Sequence, residues 1–312
     1  MPLEAIQQQA ATRVCIPGKV GGELAQGLLD GQPALVTLLA SSETHATVAT
    51  AHEARGFSVK VQSGEEAVTH KATAALERFL QAYGLTTTSV NLAVQLERQT
   101  HPGKGLATSS ADATALIRVV AQHLGLPYSA QGLYATLCQV ERSDYLLSPQ
   151  RLHLAYPRAG RLENLQVSVP RGIFLSFDTA PGETVDTEAA DALDAQRAAF
   201  AEDYRRIFDD IASGEPERMA AASLRNAEIS LEVLPNKPSF AEVIDFCREN
   251  GLGLTCASSG TYAAVLIWEA ALQRGSLLRE LKREITQRYD SFTTGTLGEW
   301  SAEDRARYEQ LL

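Results

Sequence analysis

The stretch His101-Pro102-Gly103-Lys104-Gly105-Leu106-Ala107-Thr108-Ser109-Ser110-Ala111-Asp112 lies between an alternating apolar segment, residues 89–97, and a run of strong helix formers, residues 113–124. Strand, small-residue turn and helix are the order these patterns predict. Gly103 and Gly105 permit positive φ and close approach of a ligand to the backbone. The run Thr108-Ser109-Ser110 is placed to supply an N-cap and hydroxyls where the helix begins. A helix N-terminus offers unpaired N–H groups and the positive end of the helix dipole, which favours phosphate. Lys104 adds a flexible cation nearby. Gly103, Lys104, Gly105, Leu106, Ala107, Thr108, Ser109 and Ser110 are therefore expected to cradle a triphosphate. The lysine precedes the second glycine, so the spacing is not that of the common P-loop. Taken alone, the stretch also fits an ordinary capped turn.

The whole chain narrows the field. At 312 residues, with 45% hydrophobic and 21% charged residues, it can bury a sizeable core. A formal net charge of −10 argues against a general nucleic-acid binder, which needs clustered cations. A polyanionic ligand would need local help from lysine, amide dipoles and a divalent ion. The four cysteines form no C-x-x-C pair and the six histidines no H-E-x-x-H, so reduced thiols and no structural zinc are expected. Residues 1–11 lack the charge and apolar core of a secretion signal, and no stretch has the length of a membrane span. A cytoplasmic protein with neither nucleic-acid nor membrane partners is the expectation; assembly as a homodimer is left open.

Apolar alternation predicts strands at residues 33–39, 56–61 and 89–96, with a helix at 71–83 between the second and third. Helices are expected at 113–124 and 130–140, then a strand at 171–177. The second half reads as helices at 187–212, 217–233 and 239–249, strands at 253–257 and 262–268, a helix at 271–289 and a short strand at 291–295. Grouped strands with interspersed helices indicate an α+β architecture. A composition shift near residues 180–186 divides the chain into expected domains at 1–180 and 181–312.

Three further stretches carry chemistry. Cys15-Ile16-Pro17-Gly18-Lys19-Val20-Gly21-Gly22-Glu23 suggests a tight turn with close backbone approach, and places Lys19 four residues before Glu23. Val140-Glu141-Arg142-Ser143-Asp144-Tyr145 brings two carboxylates within three residues, one suited to a metal and one to a hydroxyl proton. It equally fits an exposed acidic helix end. Leu252-Gly253-Leu254-Thr255-Cys256-Ala257-Ser258-Ser259-Gly260-Thr261-Tyr262 is a small-residue turn between apolar strands, able to admit a ligand near its amides.

In this order and spacing the stretches resemble the three motifs of the GHMP kinases, and most closely the bacterial L-threonine kinases of propanediol utilisation and cobalamin synthesis. That branch shares a Gly-Glu-Leu-x-Gln-Gly element with residues 22–27, a Val-Asp-Thr element with 185–187 and a Leu-Pro-Lys-Pro-like element with 234–238. The resemblance implies a GHMP kinase fold, with an N-terminal domain like the second domain of ribosomal protein S5 and a C-terminal ferredoxin-like domain. It implies ATP and Mg²⁺ as cofactors and a small hydroxylated amino acid as substrate. Residue by residue it assigns Ser109 and Glu141 to the metal. Asp144 becomes the group that takes the acceptor's proton, and Lys19 the cation beside it. Glu23, Ser259, Gly260 and Thr261 border the acceptor. The implied product, O-phospho-L-threonine, would feed the aminopropanol arm of the cobalamin nucleotide loop. Glu-Arg-Ser-Asp stands here for the branch's Glu-Pro-Thr-Asp, and Ser258 for a histidine of its third motif. Lys19 occupies a position where the branch typically lacks lysine, and in this the chain looks more like mevalonate kinase. Another acceptor, such as homoserine or serine, and a non-catalytic nucleotide or amino-acid sensor are the alternatives.

Overall fold

The structure, a computed structural model, describes residues 11–41, 46–62, 66–99, 103–183, 194–234, 240–257 and 260–309. The expectations at residues 101–102, 185–187, 235–238, Ser258 and Ser259 lie outside the described residues.

Two sheets organise what is described. The smaller contains β1 (Thr12–Ile16), β4 (Thr47–Glu53), β5 (Ser58–Val61) and β6 (Leu92–Arg98), in spatial order β1-β4-β6-β5. β5 runs parallel to β6, and helix α1 (Glu66–Gln81) makes the crossover between them. On α1 the residues Ala72, Ala75, Leu76, Phe79 and Leu80 are buried, the i, i+3, i+4, i+7, i+8 stripe of a helix with one core face. Helix α2 (Thr108–Leu124) packs on α1 and on this sheet, and its buried residues leave almost no polar side. Small alanines at 111, 113, 115 and 121 let it sit as an interior helix.

The larger sheet runs β12-β9-β11-β10-β2-β3-β7-β8. Its strands are β2 (Lys19–Leu29), β3 (Gln32–Leu39), β7 (Arg151–Tyr156), β8 (Arg161–Ser168), β9 (Gly172–Asp178), β10 (Gly253–Cys256), β11 (Tyr262–Trp268) and β12 (Phe292–Leu297). Alternate residues point to opposite faces. On β11, Ala264, Leu266 and Trp268 join the core under α5 (Ala201–Ala212) and α6 (Pro216–Val233). Ala263, Val265 and Ile267 join the core under α7 (Ala241–Asn250) and α9 (Leu277–Arg288). Both faces are covered, which is why residues 262–268 read as one unbroken apolar run. Each fully buried Val or Ile here contributes about 1.5–3 kcal/mol. β9 pairs with β11 on one side and β12 on the other. No helix of the described residues is long and apolar enough to cross a membrane.

The structure corrects several expectations. The Gly21-Gly22 part of the first stretch, expected to turn tightly, lies inside the strand β2 (Lys19–Leu29). The pair is an irregularity of that strand, with Gly21 at φ 60° and register shifts around Glu23. Glycines mask the strand because they weaken the alternation signal. The helix expected at 271–289 is two, α8 (Glu269–Leu272) and α9, separated at Arg274-Gly275. Residues 194–212, expected as uniform helix, contain α4 (Asp194–Arg197) and a 3₁₀ turn before α5. α2 begins at Thr108, but its N-cap is Ala107 with no side-chain cap. The hydroxyls of residues 108–110 are thereby available for other partners.

Candidate active site

The three motif stretches meet because glycines let backbones touch. A Cβ on Gly22 would fall 2.0 Å from the carbonyl carbon of Cys256, and one on Gly260 only 2.0 Å from the carbonyl oxygen of Lys104. One on Gly105, at φ 78°, would meet the Ala257 methyl at 2.5 Å. β2 pairs with β10 at Glu23 and Cys256, so the first and third stretches lie side by side in the middle of the larger sheet, and the loop before α2 lies on the third. Along that loop Gly103, Gly105 and Ala107 all take positive φ, at 73°, 78° and 56°. The left-handed Ala107 stores about 1–2 kcal/mol of strain and turns the chain into the helix. Gly260→Ala is expected to push the loop off its seat and destabilise the fold by about 1–3 kcal/mol, as overpacking does. A wild-type urea midpoint would show that this contact can yield.

At the first turn of α2, two successive serines reach the second stretch, one at the Glu141 carboxylate and the other at the Asp144 backbone. Ser109 Oγ donates to Glu141 Oε1 at 2.5 Å. Ser110 Oγ accepts from the Asp144 N–H at 3.2 Å. Tyr134, on α3 (Ala130–Cys138), donates to the Ser143 carbonyl at 3.1 Å and holds the turn between them. Beside Glu141 lies Lys71 of α1, its Nζ 3.0 Å from Oε2.

Asp144 faces the first stretch. Lys19 Nζ lies 3.4 Å from Asp144 Oδ1 and 2.8 Å from Glu23 Oε1. The Thr37 hydroxyl, on β3, donates to Asp144 Oδ1 at 3.3 Å. Burial pushes the Asp144 carboxyl up; the Lys19 ammonium draws it back and the Glu23 charge lifts it again, leaving it above the usual carboxylate range. Burial alone would lower Lys19, but Asp144 and Glu23 reverse this and hold it firmly protonated. Burial would raise Glu23 as well, yet Lys19 outweighs it and the carboxyl falls below its usual value. Arg142 adds positive potential that favours ionised Glu23 and Asp144. The chemistry of this group is that of a desolvated carboxylate with a fixed cation at its side.

Three residues expected at the site are buried or already engaged. Lys104 is not a mobile cation over the loop: its Nζ contacts the carbonyl oxygens of Ala180 at 3.1 Å, Pro181 at 2.8 Å and Glu183 at 2.6 Å, and Asp178 Oδ2 at 2.9 Å. It ties the loop to the segment after β9. Burial would raise the Asp178 carboxyl, but Lys104 and the Ala180 N–H bring it below its usual value. Thr261, expected to border the acceptor, is buried at 1% exposure. Glu23, expected at the acceptor, is 3% exposed and engaged by Lys19. Asp112, at the end of the loop stretch, pairs with Arg98 and anchors α2 to β6. Thr37, Lys71 and Asp178 escape sequence reading because each is a common residue in an ordinary strand or helix. Only the tertiary fold brings them to the motifs. Two surface cavities, of about 310 Å³ beside Tyr156 and Arg158 and about 410 Å³ beside Asn91 and His123, contain none of these residues.

Ser109 and Glu141 are hard oxygen donors, and Mg²⁺ commonly takes only one or two protein ligands beside phosphates and water. The pair fits such an ion. Among the described residues there is no group of three or more His, Cys, Asp or Glu arranged for a metal held by protein alone.

The family model for the GHMP kinases N terminal domain matches residues 70–146, the interval from α1 through Asp144. No curated protein matches the sequence. Among solved structures, Methanococcus jannaschii mevalonate kinase is similar with a TM-score of 0.68 at 10% identity, covering 95% of this chain and 100% of that one. For L. major mevalonate kinase in complex with R-mevalonate the values are 0.66, 15%, 97% and 100%. For homoserine kinase from Cytophaga hutchinsonii they are 0.66, 14%, 95% and 96%. At such identities the likeness carries the fold: this is the GHMP kinase fold, α+β as the sequence pattern indicated. The match over residues 70–146 supports the GHMP kinase family.

Proposed function

We propose that the chain is an ATP-dependent kinase that transfers the γ-phosphoryl group to the hydroxyl of a small amino acid, with L-threonine as the acceptor. The observation that carries the reading is the pair of serines opening α2: Ser109 holds the metal-type carboxylate Glu141, while Ser110 fixes the backbone of Asp144. One helix terminus thus positions both halves of a phosphoryl-transfer site. The first-turn amides of α2 and the loop from Gly103 to Ala107 bind the triphosphate, and a Mg²⁺ held by Ser109 and Glu141 would neutralise phosphate charge. Asp144 orients the acceptor hydroxyl and accepts its proton. Lys19 balances the charge that develops beside it. Transfer of this kind passes through a loose transition state, so positioning and charge neutralisation supply most of the acceleration.

L-threonine is proposed on the resemblance of residues 22–27, 103–112 and 141–144 to the threonine-kinase branch. The domain division at residue 180 and a cytoplasmic location belong to the same reading. The test is ADP release from Mg-ATP across L-threonine, L-serine, L-homoserine and mevalonate, with each product identified by phosphorus NMR. Selective turnover of L-threonine is the expected result. Turnover of another acceptor keeps the kinase and rejects threonine. Nucleotide binding with no turnover of any acceptor in the panel counts against the threonine assignment and favours the sensor reading.

A further inference from the structure

We propose that Lys71 is the phosphate-facing cation of the nucleotide site, the part that Lys104 appears in sequence to fill. The inference rests on the nucleotide reading above. The molecule carries a net charge of −10, so a triphosphate at the α2 terminus needs a nearby cation that is free to move onto it. Lys104 is not such a cation, because four oxygens of residues 178–183 surround its ammonium. Lys19 is held deep in the site by Glu23 and Asp144, with its side chain 3% exposed. Lys71 differs from both. Its side chain is 47% exposed, and its ammonium pairs with one oxygen of Glu141, whose other oxygen meets Ser109. The ammonium therefore lies one carboxylate's width from the hydroxyl that opens α2.

Packing explains the placement. Ala72, Ala75 and Leu76 of α1 lie in the same core as Ala111 and Ala115 of α2, and this close contact sets Lys71 at the rim of the α2 terminus. A half-exposed ion pair is worth little, so leaving Glu141 is cheap for a flexible lysine. Glu141, if it held a divalent ion, would no longer be free to hold the Lys71 ammonium, which like charge would also push away. The next anion within reach is the β- or γ-phosphate at the α2 terminus. Lys71 is in this view a nucleotide-binding residue that exchanges a carboxylate partner for a phosphate.

The experiment measures dissociation constants of ATP, ADP and AMP in Mg²⁺ by calorimetry for wild type, Lys71→Met and Lys104→Met. For Lys71→Met the expected loss is graded. It is roughly ten- to a hundredfold for ATP, the worth of one charge-assisted hydrogen bond, smaller for ADP and absent for AMP. Lys104→Met, which loosens the loop as a whole, is expected to weaken all three by a similar factor. Equal loss for the three nucleotides in Lys71→Met, or no loss, overturns the assignment while leaving the kinase reading in place. A wild-type protein that binds none of the three overturns the kinase reading and this inference with it.

Discussion

Replacing Asp144 by asparagine is expected to lower turnover about a hundred- to ten-thousandfold, the usual contribution of a positioned general base. Asparagine has nearly the same shape, and its amide oxygen can still accept from Thr37 and Lys19, the two donors that meet Asp144 Oδ1. The backbone N–H that donates to Ser110 is unchanged. What disappears is the charge and the ability to take a proton. The carboxyl lies above its ordinary range in the folded chain, chiefly because burial disfavours the ion. An acid raised by folding contributes stability at low pH and loses it as pH rises through the folded value. Removing that acid is therefore not expected to lower the urea midpoint at pH 7. The activity profile supplies a second reading. In wild type kcat/KM falls on the acid side at a pH above the ~4 of a free aspartate. In the variant that limb is expected to flatten. Near-normal turnover with the limb intact would remove Asp144 from the reaction.

How much of this was legible beforehand differs between the fold and the site. Core helices with a clear stripe, such as α1 and α6, and strands buried on both faces, such as β11, announce themselves through periodicity. β4, with its Thr-Val-Ala-Thr-Ala-His-Glu sequence, and β8, mostly exposed, carry too weak an apolar signal. β2 hides behind its glycines and its bulge, since Val20, Leu24, Ala25 and Leu29 join one core without keeping a period of two. In the site, the sequence singles out Ser109, Glu141, Asp144 and Lys19, and the fold brings them into one cluster. Direction is what sequence does not carry. Lys104 stands in the loop that should hold phosphate, yet its ammonium finds better company among three carbonyls and Asp178. Lys71 looks like any surface lysine until α1 is packed against α2.

Lys19→Met is expected to be the most damaging single change to stability in the site, at about 3–5 kcal/mol, because it strands a buried carboxylate. Glu23 is 3% exposed, and the Lys19 ammonium is what keeps its carboxyl below the ordinary value despite burial. In wild type that arrangement stabilises the fold above the unfolded carboxylate's pKa of ~4.3 and is lost as pH falls through the folded value. Lys19, raised by its two partners, contributes stability throughout the acidic and neutral range and loses it only at alkaline pH. Without Lys19 the sign for Glu23 reverses. Burial then dominates, the folded carboxyl rises above its unfolded value, and stability falls as pH increases from 5 toward 7. Urea midpoints at pH 5 and 7 should thus show the variant gaining stability on mild acidification. A variant whose midpoint has no such slope would mean that Glu23 finds another partner, with Arg142 the nearest candidate from its effect on the same carboxyl. The double variant Lys19→Met, Glu23→Gln separates structure from chemistry. It is expected to recover part of the stability, since the 3% exposed Glu23 carboxylate is gone, but little of the turnover, since Asp144 still lacks its cation. Recovery of both would reduce Lys19 to a counter-ion for Glu23. Stability regained without turnover would make the ammonium itself part of the transfer.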